Sequence, residues 1–440
     1  MKRVLFVTLF SVMFALTFAL VGCGSNGSGP VQLTGTKTTV QFGDAANDQI
    51  VKFELTVSSI TLTGTGGTAD TSNLLAAPVE FEFSHSAGTL EPVSLSKVPA
   101  GSYSAASIAW SNPEIVEVNA GVPTKLASSP TSGTANVTLT NVTIGPNAAF
   151  LNFDLDLTKS VTISGTSATL SPTFNVTATN VAATMDGEGD DNGESDDVHG
   201  KVTNIAAPKF TIQTESGASI DFTTDSSTQF KDGITQLSDL KTGDIVEVDA
   251  KTQSDGTKLA TKVEREGSQS GEEAEGVISN VTGTAPALTI TVAHQMDSTG
   301  SANPPVTVDI TTDASTQFSV RSDKLNVTGT FDATHIGKGQ RIEADADGQA
   351  SPITARKLKL REQALIGTVS NASGSTFTLT PDSTSAFATL SGATSVAVTI
   401  ASGANVKVTP ANNATVRVRG LVFFDGTAYT MTAVRVDNNN

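Results

Sequence analysis

Cysteine is almost absent from this sequence, which has one, Cys23, among 440 residues. No internal disulfide can form, whatever the redox state of the compartment in which the protein works. The C-x-x-C motif of redox centres and thiolate metal sites is missing as well. The single cysteine therefore needs an explanation that involves no second thiol.

Histidine is also scarce, and its four copies lie in four different segments. They are His85, His199, His294 and His335. None belongs to an H-E-x-x-H motif, and no G-x-S-x-G elbow or G-x-x-x-x-G-K-[ST] loop is present. We interpret each histidine as an isolated surface or turn residue, and we expect the acidic segment beside His199 to raise the pKa of its ring.

Carboxylates are the remaining candidates for catalysis, and one pair lies in the segment FLNFDLDL (residues 150–157). Period-two spacing places Leu155 and Leu157 on one strand face, and Asp154 and Asp156 on the other. An acid–base pair needs one carboxyl in an apolar pocket, whereas an outward strand face is usually solvated. The sequence therefore predicts a protein that is not an enzyme and that uses no cofactor.

Positive charge and large aromatic residues are in short supply. The chain has 27 Lys and Arg against 44 Asp and Glu, with one Trp and two Tyr. The acidic excess repels nucleic acid, so we expect no nucleic-acid partner. Phenylalanines at core-type positions of the C-terminal half support this view; they are Phe210, Phe222, Phe230, Phe318 and Phe377. Trp110 is a candidate for stacking on a carbohydrate, although core packing is the favoured role of this residue.

The amino-terminal segment explains the lone cysteine. The chain starts with MKR, continues with an apolar run over residues 4–20, and reaches Cys23 in the sequence LVGC. This pattern resembles the lipobox of bacterial lipoproteins. The resemblance implies a signal peptide over residues 1–22 and a diacylglycerol on the Cys23 thiol, which would anchor the protein to a membrane. A retained transmembrane helix is the alternative, and the apolar run is at the short limit for one.

The same resemblance implies a location in the cell envelope. Gly24 follows the cysteine at a position where Asp often marks retention in the inner membrane, so it favours the outer membrane. Residues 23–37 form a Gly- and Ser-rich stretch after the lipidation site. Such a composition indicates a flexible tether between the lipid and the first folded domain.

Residues 38–181 contain short alternating runs of Val, Thr and Phe, which predict β-strands. Within this region the sequence LSKVPAGSY (residues 95–103) resembles the turn into a strand of prealbumin-like sandwiches. Pro99 would fix a turn dihedral angle, Gly101 would adopt a positive φ, and Tyr103 would point its ring inward. The whole region resembles an uncharacterised sandwich domain that often follows lipoboxes, and this resemblance implies a β-sandwich.

An acidic segment follows the sandwich. The sequence DGEGDDNGESDD (residues 186–197) has no apolar side chain, so we interpret residues 182–198 as a linker. Oxygen ligands recur in it at a spacing like that of a calcium-binding loop; they are Asp186, Glu188, Asp190, Asn192, Glu194 and Asp197. Because Asp191 stands where an EF-hand needs Gly and no helices flank the loop, the linker is favoured, and weak calcium association is the alternative.

The rest of the chain is a threefold repeat. Three segments open alike, with GKVTN at residue 200, GVISN at 276 and GTVSN at 367, and two share the block TTD[SA]STQF. The pattern resembles a family of uncharacterised bacterial repeat domains, usually found in tandem in exported proteins. The resemblance implies small OB-like barrels over residues 199–266, 274–362 and 364–437.

Specific apolar residues are expected to fill the barrels. In the first barrel they are Phe210, Ile212, Ile220, Phe222, Phe230, Val246, Val248 and Val263; in the second they are Leu288, Ile290, Val308, Ile310, Phe318, Ile342 and Leu358. The predicted fold class is thus all-β, with an N-terminal β-sandwich and three tandem barrels. The expected function is that of a lipid-anchored envelope scaffold or binding protein whose partner is a polysaccharide or a protein. The alternative is a carbohydrate- or matrix-binding surface adhesin.

Overall fold

The computed structural model describes residues 35–45, 47–86, 90–181, 194–214, 217–267, 271–297, 305–320, 327, 329–347 and 352–438. Strands dominate this part of the chain, and the two α-helices within it are single short turns. The predicted all-β fold class, a sandwich followed by small barrels, is confirmed.

The sandwich is built from long strands in two larger sheets and a smaller third one. The strands are β1 (Thr36–Ala45), β2 (Ile50–Thr65), β3 (Val79–Glu82), β4 (Leu90–Val98), β5 (Gly101–Asn119), β6 (Val122–Lys125), β7 (Ala127–Ser129), β8 (Ser132–Ile144), β9 (Ala149–Asp156), β10 (Val161–Ser164), β11 (Ser167–Leu170) and β12 (Phe174–Asn180), with helix α1 at Leu157–Ser160. Their sheet orders are β12-β9-β1-β4, β3-β2-β5-β6 and β10-β11-β7, and β8 also pairs with β5.

Aromatic side chains from several strands meet in the sandwich core. Phe42, Phe53, Phe83 and Phe153 are fully buried, and the ring of Phe42 lies 5.5 Å from that of Phe83 and 6.2 Å from that of Phe153. Such rings supply a large part of the buried apolar area that stabilises a domain.

The predicted turn before β5 is confirmed. Gly101 has a φ of +148°, which a side chain would disfavour. Tyr103 is buried, and its hydroxyl donates a hydrogen bond to the carbonyl oxygen of Pro99 at 2.6 Å. The turn is therefore fixed at both ends, by a glycine conformation and by a buried phenol.

Three barrels follow, and all have the same strand order. The first consists of β13 (Glu194–Ala206), β14 (Lys209–Gln213), β15 (Ser219–Thr223), β16 (Gln229–Lys231), β17 (Ile245–Thr252) and β18 (Lys258–Gly267), with a 3-10 turn at Leu237–Asp239. The second consists of β19 (Gly271–Thr284), β20 (Ala287–Asp297), β21 (Thr307–Thr311), β22 (Gln317–Val320), β23 (Arg341–Asp347) and β24 (Ile353–Leu360). The third consists of β25 (Glu362–Ser373), β26 (Thr376–Pro381), helix α2 (Ala386–Ser391), β27 (Val396–Val406), β28 (Thr415–Phe424) and β29 (Tyr429–Asn438).

A parallel strand pair completes the ring in each barrel. β15 pairs with β18, β21 with β24, and β27 with β29. Ring closure leaves few unpaired backbone groups at sheet edges. β13 begins at Glu194, so the last five residues of the segment interpreted as a linker belong to a strand of the first barrel.

The predicted barrel cores are confirmed, with Phe230, Val308 and Phe318 only partly buried. The glycine that opens each repeat has a steric cause. A Cβ atom at Gly200, Gly276 or Gly367 would lie 2.7, 2.0 or 2.3 Å from a backbone carbonyl oxygen of the neighbouring strand. Only glycine allows the two backbones to approach this closely.

Replacing Gly276 by Ala tests this close approach. The added methyl group must push β19 and β20 apart, so we expect the free energy of unfolding to fall by about 1–3 kcal/mol. Denaturant unfolding of the purified chain measures the change. Thr282→Ala, at an exposed position of the same strand, is the control and should have little effect. A Gly276→Ala chain as stable as the parent would contradict the steric explanation.

Candidate functional site

Several residues singled out by sequence lie outside the described residues. They are Cys23, Asp186, Glu188, Asp190 and Asn192. Glu194 and Asp197 fall in β13, and only their backbone is described. The lipidation site and the calcium-loop alternative therefore stay predictions.

The aromatic residues considered for carbohydrate stacking are buried. Trp110 is 4% exposed and belongs to the sandwich core, opposite Gly133 on β8. A Cβ atom at Gly133 would lie 3.0 Å from the indole ring, so the ring packs directly against the β8 backbone. Tyr103 and Tyr429 are buried too. Because these are the only Trp and Tyr residues in the sequence, none offers a free ring face to a sugar.

The interpretation of the histidines as isolated surface or turn residues is correct for His335, which lies in a turn 2.8 Å from Asp332. His85 also lies in a turn, but it is not isolated, because its buried side chain contacts two carboxylates. The interpretation is wrong for His294, which is buried in β20. One acidic neighbour of His199 in the structure is Glu247 of the first barrel, 3.5 Å from its Nε2 atom.

His85 lies between two carboxylates in the sandwich. Its Nδ1 atom is 3.2 Å from Glu82, and its Nε2 atom is 2.5 Å from Glu91. Burial alone would lower the pKa of His85, but Glu91 and Glu82 raise it well above the ordinary value. The imidazolium therefore joins β3 to the start of β4. The backbone carbonyl oxygen of His85 also accepts a hydrogen bond at 2.9 Å from Arg341 of the second barrel.

The interpretation of Asp154 and Asp156 as a solvated pair is wrong for Asp154. This side chain is half-buried, and burial raises its pKa, while Arg417 and Arg435 of the third barrel oppose that rise. Asp156 instead caps helix α1, accepting a hydrogen bond from the backbone N–H of Lys159 at 3.0 Å. The two carboxylates thus serve a domain contact and a helix cap.

A cluster of buried charge lies between the first two barrels. Each barrel contributes outward side chains of its last strand, and the second barrel adds the residue that follows this strand. In the first barrel these are Lys262, Glu264 and Glu266; in the second they are Lys357, Lys359 and Arg361. The two sets occupy equivalent register positions, because Lys262 pairs with Asp249 as Lys357 pairs with Asp345.

Lys359 is the central cation of this cluster. Its Nζ atom forms an ion pair with Glu266 of the first barrel, and it lies 2.7 Å from Glu343 and 3.5 Å from Asp345 of its own barrel. Burial alone would lower the pKa of Lys359, but Glu343 and Glu266 raise it well above the ordinary value. Lys359 therefore stays charged although only 2% of its side chain is exposed.

Two further cations cross the same interface. Lys357 forms an ion pair with Asp232 and lies 3.3 Å from Glu264. Arg361 lies 4.0 Å from Glu247 of the first barrel and 3.1 Å from Glu343 of the second. Because buried charges are stable only when opposite charges are close, the sequences of the two barrel faces must match each other.

Three residues of this cluster could hold a metal ion. His199, Glu266 and Glu343 each offer one ligand atom, and these atoms all lie within 4.8 Å of one another. One imidazole nitrogen and two carboxylates suit Zn²⁺. Lys359 already bonds both carboxylates, however, so a metal would have to displace an ammonium group. The arrangement therefore favours an ion-pair network that joins two barrels.

The equivalent outer face of the third barrel carries cations that act on the sandwich. Arg417 stands at the register position of Glu247, and Arg435 stands at that of Lys262. Both cations act electrostatically on Asp154 of the sandwich. The first two barrels therefore pair these charged faces with each other, and the charges of the third have the sign that stabilises an ionised Asp154 of the sandwich.

Apolar and backbone contacts complete the junction of the sandwich with the second and third barrels. One cluster joins Val51, Val116 and Val118 of the sandwich to Ala293 of the second barrel and to helix α2. Leu421 and Phe423 of the third barrel belong to the core cluster of the second. The described parts of the sandwich and the barrels belong to one compact unit, which these shared contacts explain.

Residues 199–264, most of the first barrel, match the model of a domain of unknown function, DUF5666. No curated protein matches the chain. In the part of the chain that the structure describes, neither helix has the length and apolar character needed to cross a membrane.

Replacing Lys359 by Met tests the ion-pair network. The substitution leaves Glu266 and Glu343 buried without their central cation, so we expect the free energy of unfolding to fall by about 3–5 kcal/mol. Lys159→Met removes an exposed ion pair with Asp156 and should leave stability nearly unchanged. Urea unfolding of both variants measures the contrast. Equal effects of the two substitutions would rule out a special role for the buried lysine.

Replacing His85 by Gln tests the buried imidazolium. Because the folded-state pKa of His85 lies well above 6.5, its stabilisation is complete below pH 6.5 and is lost as the pH rises through the folded-state pKa. We expect His85→Gln to lower the free energy of unfolding most at about pH 6 and progressively less at higher pH. Urea unfolding across this range measures the difference. His335→Gln is the control at a half-exposed turn, and a loss from His85→Gln that is the same at every pH would contradict the assignment.

Proposed function

We propose that the protein is a lipid-anchored lipoprotein of the cell envelope whose sandwich and three barrels act as one rigid, non-enzymatic scaffold or binding body. The observation that carries this proposal is the location of the charged clusters. The ion pairs around Lys359 join two barrels, and Arg417 and Arg435 of the third barrel are close enough to Asp154 of the sandwich to lower its pKa. These groups hold domains together, which is a structural task.

The burial of the aromatic residues also bears on the choice of function. A carbohydrate-binding adhesin usually stacks sugars on exposed Trp or Tyr rings, and all three such rings here are buried. The scaffold is therefore the better supported of the two functions. The match of the first barrel to a domain of unknown function is compatible with it and adds no chemistry.

The anchor in this proposal rests on the sequence LVGC and on the absence of any other cysteine. A net charge of −17 gives the chain no electrostatic attraction to anionic headgroups. Membrane attachment would therefore depend on the acyl chains alone. Two or more chains hold a protein stably on a bilayer.

Replacing Cys23 by Ser tests the anchor. We expect the variant to lose its lipid, and those molecules of it whose leader has been cleaved to leave the membrane fraction almost completely, because the acyl chains are the proposed attachment of the mature chain. Cell fractionation followed by intact-mass measurement checks both points. Gly24→Asp is the matched control, since it should keep the lipid and shift the protein toward the inner membrane. A parent protein with a free Cys23 thiol, or with its leader still attached, would overturn the proposal.

A further inference from the structure

A small cavity of about 70 Å³ lies where the sandwich, the second barrel and the third barrel meet. Asp44 and Asp48 line it from the sandwich, Gln295 and Arg341 from the second barrel, and Leu365 from the third. A single water needs roughly 10–15 Å³ of such volume. The cavity therefore has room for an ion together with a few waters.

Three of the residues that line this cavity have side-chain oxygen atoms without a hydrogen-bond donor. Asp44 is 2% exposed, and both of its carboxylate oxygens are unpartnered. Oδ1 of Asp48 and Oε1 of Gln295 are unpartnered as well. The other oxygen of Asp48 accepts a hydrogen bond from the backbone N–H of Ile366 at 2.7 Å, and Nε2 of Gln295 donates to Ser84 at 3.2 Å. Buried polar atoms without partners are rare enough to call for a ligand or a proton.

The charges around the cavity favour a cation. Burial raises the pKa of Asp44 well above its ordinary value, and Asp154, Glu82 and Asp156 raise it further, while Arg417 opposes them. Burial raises the pKa of Asp48 to about 7. Both pKa values rise because a buried carboxylate is unfavourable here without a counter-ion.

Arg341 does not supply that counter-ion. Its Nη2 atom lies 2.6 Å from Glu275, and its Nη1 atom donates to the carbonyl oxygens of His85 and Glu362 at 2.9 and 3.3 Å. Its charge is therefore already matched. Its Nε atom has no acceptor and could donate to a water in the cavity.

We propose that this cavity binds a partly hydrated Ca²⁺ ion, held by the carboxylates of Asp44 and Asp48 and by the side-chain oxygen of Gln295. Carboxylate and amide oxygens with added water are the ligands that Ca²⁺ takes in proteins. The ion joins the sandwich to the second barrel directly. It also supports the third barrel, because Asp48 binds the backbone of Ile366. The site is independent of the lipid anchor, since its residues belong to the folded body.

Calcium-dependent melting of the full mature chain tests the site. At about pH 8, where Asp48 is ionised, the melting temperature is measured in EGTA and in about 0.1–10 mM CaCl₂ or MgCl₂, a range that covers weak extracellular Ca²⁺ sites. Ionic strength is held constant with KCl. We expect a saturable rise of several degrees with Ca²⁺, a smaller rise with Mg²⁺, and one bound Ca²⁺ per chain by calorimetric titration.

Two variants locate the ion. Asp44→Asn should abolish the Ca²⁺-dependent rise and increase the melting temperature in EGTA, because it removes an unpaired buried charge. Gln295→Leu should reduce the affinity for Ca²⁺ about tenfold, and it provides a second readout if Asp44→Asn folds poorly. A chain with Asp186, Glu188 and Asp190 neutralised is the matched control and should keep the full response.

Three outcomes would overturn the proposal. The first is a melting temperature that is the same in EGTA and CaCl₂, which would mean that Asp44 holds a proton instead. The second is a Ca²⁺ response that survives Asp44→Asn and disappears in the neutralised acidic segment, which would place the ion there. The third is an equal response to KCl alone, which would indicate general charge screening.

Discussion

The burial of charged barrel faces between domains is the constraint on which the rest of this structure depends. A small barrel pairs its own backbone N–H and C=O groups when it closes, so the side chains on its outer surface are not needed to complete its sheet. In this chain, that surface lies against another domain, and the charged side chains on it lose most of their water. Each buried charge then needs an opposite charge across the interface. The sequence of each barrel is thereby tied to that of its neighbour.

This constraint explains why the three repeats differ where they do. Glu264 and Glu266 of the first barrel correspond in register to Lys359 and Arg361 of the second. Two unchanged copies would bring like charges together, which is unfavourable in a buried interface. The third barrel has Arg417 at the position of Glu247, and it faces acidic residues of the sandwich. The differences between the copies thus follow from which domain each copy contacts.

Local sequence patterns were enough to predict the class of fold and most of the barrel cores. Alternating Val, Ile and Phe places residues such as Phe210 and Ile290 inside a barrel. The glycine that opens each repeat is required by the close approach of its strand to one neighbouring strand, which is a local contact. The same patterns failed for Asp154. Strand alternation shows that a side chain points away from its own sheet, but it does not show whether another domain covers it.

The sequence likewise shows which charged residues point outward from a barrel strand, but not which residues they contact. The alternating motifs K-x-E-x-E at residue 262 and K-x-K-x-R at residue 357 mark outward positions of a strand. Their pairing depends on contacts such as that of Lys357 with Glu264, which are 93 residues apart. No local rule gives such a contact, because it is set by how two complete barrels pack. The unpartnered oxygens of Asp44 and Gln295 are hidden from sequence reasoning for the same reason.

The acidic residues buried at the domain junctions make the stability of the folded chain depend on pH. Burial raises the pKa of Asp48 to about 7 and that of Asp345 to about 6, in each case above the usual 3.8. The folded body therefore holds protons that the unfolded chain would release, and its stability falls as the pH rises from about 4 through these folded-state values. A bound cation opposes this loss because it stabilises the ionised carboxylates. Under the proposed location outside the cytosol, the packing of the four domains would thus depend on the proton and cation content of the surroundings.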